Sequence, residues 1–286
     1  MNPIALSCFY SDVFFRKSQL LLVGTADGQL SIYDASEFQS ELHVCPTKLH
    51  LGVGRMPVRG FVPAMTITND VVLWGSCGTS LFSLRGDLQV HSVIETSKTQ
   101  RTINDDESVI SCLCADKYVY LARHNNCTVE IWDGANSRYH GAIDCSYAIW
   151  TPDGDANEKC ISPQMSVGDT FFVYSMAVQR SIALWVGLAC GRIVAFDISS
   201  RKILLSLAVF PMHITALTLQ RCTIGDGPKL ILFALGSHFG DEINVEDAHS
   251  HIYAVDASLP YHVGSLKSHI ATRARLISKM SKSCTA

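Results

Sequence analysis

The sequence is poor in charge. Only 17% of its 286 residues are Asp, Glu, Lys or Arg, too few for solvated charged helices to form the main surface. Its 23 basic and 26 acidic residues leave a net charge of −3. The basic stripe of a nucleic-acid binder is therefore missing. No apolar run approaches the roughly 20 residues of a membrane-spanning helix. The opening Met1-Asn-Pro-Ile-Ala5 lacks the basic region of a secretory signal.

Nucleotide-handling motifs are also absent. Gly52-Val-Gly54 runs on as Arg-Met-Pro, and neither G-x-G-x-x-G nor G-K-S/T occurs; H-R-D and D-F-G are absent too. No G-x-S-x-G elbow supports a nucleophile. Cysteine is plentiful, at 11, yet no C-x-x-C is formed. Cys112 and Cys114 alternate in an apolar run and read as small buried hydrophobes on one face of a strand. Reduced thiols fit a cytoplasmic setting. Without a signal peptide, the sequon Asn126-Cys127-Thr128 reads as chance. His249-Ser-His251 with Asp241, Glu242, Glu246 and Asp247 reads as a polar loop between strands rather than a metal site. The expectation is no catalytic site, no metal and no cofactor.

What the sequence does have is 48% hydrophobic residues and an internal repeat. An apolar run Leu20-Leu-Leu-Val-Gly24 leads through Thr25-Ala-Asp-Gly28 to the alternating Gln29-Leu-Ser-Ile-Tyr-Asp34. That is strand, tight turn, strand. The register from opening Gly to closing residue recurs from Gly187 to Asp197, and from Gly75 to Arg85. Looser copies run from Tyr118 to Trp132-Asp133 and from Leu230 to Asp256. Closing positions 34, 85, 133, 197 and 256 are spaced somewhat wider than the roughly 40–45 residues of a WD blade, as lengthened loops would make them. Inner strands are predicted at 4–9, 60–67, 109–113, 171–178 and 214–219. Outer strands are predicted at 88–94, 139–144, 202–209 and 261–266. The first copy shows no outer strand.

These patterns predict an all-β WD-type β-propeller with about five blades over 1–266, followed by a basic amphipathic α-helix and tail over 267–286. The chain opens on an inner strand with nothing to fasten the last blade. It is therefore expected to be the later part of a longer propeller.

The sequence resembles the leucine-rich-repeat kinases of the Roco group. The resemblance is carried by 21–28, Trp74-Gly-Ser-Cys-Gly-Thr79, Ile94-Glu-Thr96, Val129-Glu-Ile-Trp-Asp133, Gly141-Ala-Ile-Asp-Cys145, Ala183-Leu-Trp-Val-Gly187, Leu259-Pro260 and a tail with His269, Ile270, Arg273 and Met280. It implies a seven-bladed ring, incomplete here, downstream of leucine-rich repeats, a GTPase module and a serine/threonine kinase. It also implies a non-catalytic scaffold that binds proteins and self-associates through one blade side. The corresponding candidates are Gly141, Tyr147, Trp150, Met165 and Ser166. The tail's Arg273, Arg275 and Lys279 would lie along the kinase domain of the parent. Its five basic residues leave −8 on the rest of the chain, which argues against the microtubule binding linked to the family, because tubulin is acidic. The competing reading is a freestanding WD-repeat adaptor with no kinase attached.

Overall fold

Every blade is built from the hairpin that the repeat encodes. The computed structural model describes residues 3–10, 19–34, 47–51, 56–65, 71–85, 88–96, 109–146, 171–210, 213–224, 227–238 and 249–257. They form nineteen antiparallel strands in five sheets, and no α-helix occurs among them. The first sheet is β1 (Pro3–Tyr10), β2 (Gln19–Thr25), β3 (Gln29–Asp34) and β4 (Thr47–His50). The second is β5 (Val58–Met65), β6 (Val71–Cys77), β7 (Ser80–Leu84) and β8 (Val90–Glu95). The third is β9 (Ile110–Ala115), β10 (Val119–Arg123), β11 (Thr128–Asp133) and β12 (Arg138–Asp144).

These blades belong to one compact unit, Met1–Tyr147 with Phe171–Val173. A second unit carries β13 (Val173–Gln179), β14 (Ala183–Leu188), β15 (Arg192–Asp197) and β16 (Ile203–Ala208), then β17 (Ile214–Ile224), β18 (Gly227–His238) and β19 (His249–Asp256). The 261–266 strand and the 267–286 helix lie outside the described residues. β4 supplies the outer strand that the sequence did not reveal.

The core sits between blades. Leu22, Leu30 and Ile32 of blade 1 pack with Val58, Phe61, Leu73 and Phe82 of blade 2. Trp74, Leu81 and Ile94 of blade 2 join Ile110, Leu113, Leu121 and Trp132 of blade 3. In the second unit, Trp185, Ile193 and Ala195 pack with Ile214, Leu232 and Ala234. A middle strand flanked on both faces is enclosed throughout, so it is mostly apolar and any polar side chain on it needs a partner. β7, β10 and β14 are accordingly buried at every position. Outer strands keep alternation, as in β8.

The opening glycines Gly24 and Gly187 lie hard against the next blade. A Cβ at Gly24 would sit 2.8 Å from Cγ1 of Val58 on the next inner strand; at Gly187 it would sit 2.9 Å from Cβ of Ile214. Opposite the equivalent position in four blades, the inner strand carries one extra residue: Ile4, Gly60, Ser111 and Thr215. Such a bulge bends the strand and breaks its ladder locally. Ser111 and Thr215 compensate by donating their hydroxyls to the carbonyls of Ala122 and Leu235, each at 3.1 Å.

The closing Asp caps the turn into the outer strand. Asp197 Oδ1 accepts the Ser200 N–H at 2.6 Å, and that bond holds the carboxyl below its ordinary 3.8. A depressed folded value stabilises above the unfolded one and is lost as pH falls through it. Asp197→Asn is therefore expected to flatten part of the acid limb of a melting-temperature profile below about pH 4. Above pH 5 the slope is expected to be unchanged.

Candidate protein-interaction surface

The outer strand of blade 3 gathers the exposed aromatic side chains of that blade. Its entry is set by Asp133, the closing residue of β11. Oδ1 accepts the N–H groups of Ala135 at 2.9 Å and Asn136 at 3.3 Å, and Oδ2 accepts Asn136 Nδ2 at 2.7 Å. Partial burial pushes this carboxyl up, but the Asn136 side chain and the two turn N–H groups outweigh it, with help from His140. The net position is below the ordinary carboxylate value.

β12 then pairs with β11 through a bulge. Tyr139 faces Trp132 and Gly141 faces Ile131, leaving His140 as the extra residue. Gly141 has φ +134, a conformation that costs a glycine little and an L side chain much. The bulge re-aims the side chains beside it. His140 stacks on Tyr118 with ring centroids 4.6 Å apart, and Lys117 Nζ lies 5.4 Å from the Tyr118 ring. Tyr139 meets Trp132 edge-on at 5.6 Å and remains 46% exposed.

Beneath this edge lies a buried polar cluster that the sequence reading missed. Arg123 on β10 and Glu130 on β11 are each only 1% exposed. Arg123 Nε donates to Glu130 Oε1 at 2.6 Å and Nη2 donates to Oε2 at 3.2 Å. Nη2 also reaches the carbonyl and hydroxyl oxygens of Thr96, at 3.3 and 3.0 Å. The Thr96 hydroxyl is bound to the carbonyl of Thr79, so the guanidinium ties blade 3 to blade 2. Trp132 Nε1 donates to Glu130 Oε2 at 3.0 Å. The available signal was a charge between Val129 and Ile131 in an otherwise apolar strand.

Of the sequence-derived candidates, only Gly141 lies within the described residues, half-buried on β12. Tyr147, Trp150, Met165, Ser166, Arg273, Arg275 and Lys279 lie outside them. Among the described residues, no group of three or more His, Cys, Asp or Glu is placed to hold a metal ion. No described helix is long and apolar enough to cross a membrane. Burial pushes the Cys112 thiol up to about 12 and raises Cys114 and Cys145 as well, which suppresses the reactive thiolate.

A family model described as "LRRK2 beta propeller" matches residues 4–254. The chain belongs to the LRRK2 β-propeller family. That family is a propeller domain, and no enzymatic domain is matched. Among solved structures, the β-propeller domain of Cps50 (Swd1) from Myceliophteria thermophila superposes with a TM-score of 0.50. It is 13% identical, over 83% of this chain and 69% of that one; at that identity the likeness shows the WD-type fold alone. The five sheets are thus blades of an LRRK2-family propeller, the fold class that the repeat predicted. Its Gly-to-Asp hairpins are the hairpins of that repeat.

Proposed function

We propose that this propeller is a non-catalytic protein-interaction and scaffolding module, the C-terminal regulatory and dimerisation part of a cytoplasmic leucine-rich-repeat serine/threonine kinase. Its self-association surface is the outer side of blade 3. The observation that carries this reading is Tyr139. It is a large aromatic, 46% exposed, on an edge strand beside Gly141, in a chain matched to the LRRK2 propeller over 4–254. Exposed tyrosines with one packed face are frequent anchors of protein interfaces, because little side-chain freedom is lost on docking.

Sedimentation velocity on the 286-residue chain tests this. Tyr139→Ala is expected to weaken self-association by about 2 kcal/mol or more, the loss typical of an interface anchor. Trp150→Ala is expected to weaken it as well. Gly141→Arg adds a bulky cation at a strained backbone position, so its circular dichroism must be checked alongside. A dimer equally tight in wild type, Tyr139→Ala and Trp150→Ala would refute the surface. The basic segment with Arg273, Arg275 and Lys279 is proposed to dock on the parent's kinase domain. Deleting everything after Leu266 in the full-length protein is then expected to change kinase activity, and unchanged activity would sink that contact.

A further inference from the structure

We propose that Glu130 is a positioning residue for the blade 3 surface, setting Tyr139 through the Trp132 indole. The inference rests on the self-association reading above. Glu130 touches no partner itself. Its carboxylate is enclosed, and every described bond to it comes from a group that has a second role. Arg123 brings the link to Thr96 on blade 2. Trp132 brings its Nε1–H.

An indole packed by apolar contacts alone can slide or turn in its plane. One whose N–H is held by a buried carboxylate cannot do so without leaving a charged acceptor under-satisfied. Glu130 and Trp132 are two residues apart on one strand, so they face the same side of the sheet. Tyr139 is the cross-strand partner of Trp132, and its ring rests on the indole at 5.6 Å with the planes 68° apart. The chain of contacts therefore runs from Thr96 through Arg123, Glu130 and Trp132 to a tyrosine at the surface. Cross-strand aromatic pairs are effective couplers, because opposite Cβ atoms lie only about 5 Å apart.

This arrangement makes a specific demand on residue 130. A glutamine there has nearly the same shape, but one of its two terminal atoms becomes a donor. Its single oxygen, placed where Oε2 is, can still accept from Arg123 Nη2 and Trp132 Nε1, but without the charge that strengthens both bonds. Its amide nitrogen then meets the Arg123 Nε–H donor in place of Oε1. Trp132→Phe removes the N–H while keeping an apolar ring, and provides a second route to the same perturbation. Gly187→Ala, in the other compact unit, destabilises without touching blade 3 and controls for loss of stability alone.

The experiment measures self-association of the full 286-residue chain by sedimentation velocity, at temperatures where each variant is fully folded. Trp side-chain N–H resonances are followed in parallel, with Trp132→Phe assigning the Trp132 signal. Glu130→Gln is expected to shift that resonance and weaken self-association about tenfold, a factor that corresponds to about 1.4 kcal/mol. Trp132→Phe is expected to weaken it by a similar factor, and Gly187→Ala to leave it unchanged. Combining Glu130→Gln with Tyr139→Ala should add little to Tyr139→Ala alone, as coupled residues do. If Tyr139→Ala weakens association while Glu130→Gln and Trp132→Phe leave it at wild-type strength, the positioning role is overturned. If Tyr139→Ala has no effect either, the surface itself is wrong. Equal weakening by Gly187→Ala would reduce Glu130 to a general stabiliser, and would overturn the proposal too.

Discussion

Replacing Glu130 by Ala is expected to cost about 3–5 kcal/mol of folding stability, the range for removing one partner of a buried ion pair. Arg123 is 1% exposed. It also reaches the carbonyl and hydroxyl of Thr96, at 3.3 and 3.0 Å. Neither carries charge, so these bonds do not replace the Glu130 carboxylate that the buried guanidinium would lose. The Trp132 N–H would lose its acceptor at the same time. Denaturant titration should show a lower midpoint for Glu130→Ala with the slope retained.

The diagnostic variant is the pair Arg123→Met with Glu130→Leu. Removing both charges removes the desolvation cost along with the attraction, and well-packed apolar replacements of buried ion pairs are often neutral. One orphan would persist, the indole N–H, at a cost of about 1–3 kcal/mol. The double variant should therefore be more stable than Glu130→Ala. If it is the less stable of the two, the ion pair is not the source of the loss.

Features fixed by short-range physics were legible in the sequence. The closing aspartates could be read because turn capping involves residues within three positions, as Asp133 with Asn136 and Asp197 with Ser200 show. The middle strands could be read because burial on both faces favours continuous apolar runs, 119–122 in β10 and 183–188 in β14. β4 could not. It is four residues long, Thr47-Lys-Leu-His50, too short for alternation to register. The length of β17 was missed for a related reason. The predicted inner strand stops at 219, yet polar Gln220, Arg221 and Thr223 each pair with a residue of β18, through to Ile224 opposite Gly227. Backbone pairing alone carries the strand beyond its apolar part.

The site was less legible than the fold. Gly141 was identified from a resemblance, while its physical reason, a positive φ in a bulge, depends on the register of β11 against β12. Arg123 and Glu130 were passed over because a charge on a strand ordinarily faces solvent. What makes burial possible here is Thr96, which comes from another blade. No local pattern announces a partner 27 residues away.

Gly187→Ala is expected to destabilise by about 1–3 kcal/mol, the usual cost of overfilling a packed site. Gly227→Ala should be neutral or gain up to about 1 kcal/mol by restricting the unfolded chain. Both glycines sit in strands of the second unit, and both substitutions add one methyl group. The difference lies in what that methyl meets. At Gly187 it would be 2.5 Å from Ser175 Oγ and 2.9 Å from both Cβ and Cγ2 of Ile214; at Gly227 nothing lies within 4 Å. Ser175 cannot simply turn away, because its hydroxyl donates to the Ile214 carbonyl at 2.8 Å in a buried setting. Ile214 is fully buried, and its branch point is stiff. Relief therefore requires β14 to move away from β17, opening the contact that fills the core of this unit. Ser175→Ala in the Gly187→Ala background tests the mechanism. It removes the nearest clashing atom, and should return part of the lost stability despite deleting a hydrogen bond. Two additive losses instead would mean that the steric contact at Gly187 is not what the repeat's opening glycine relieves.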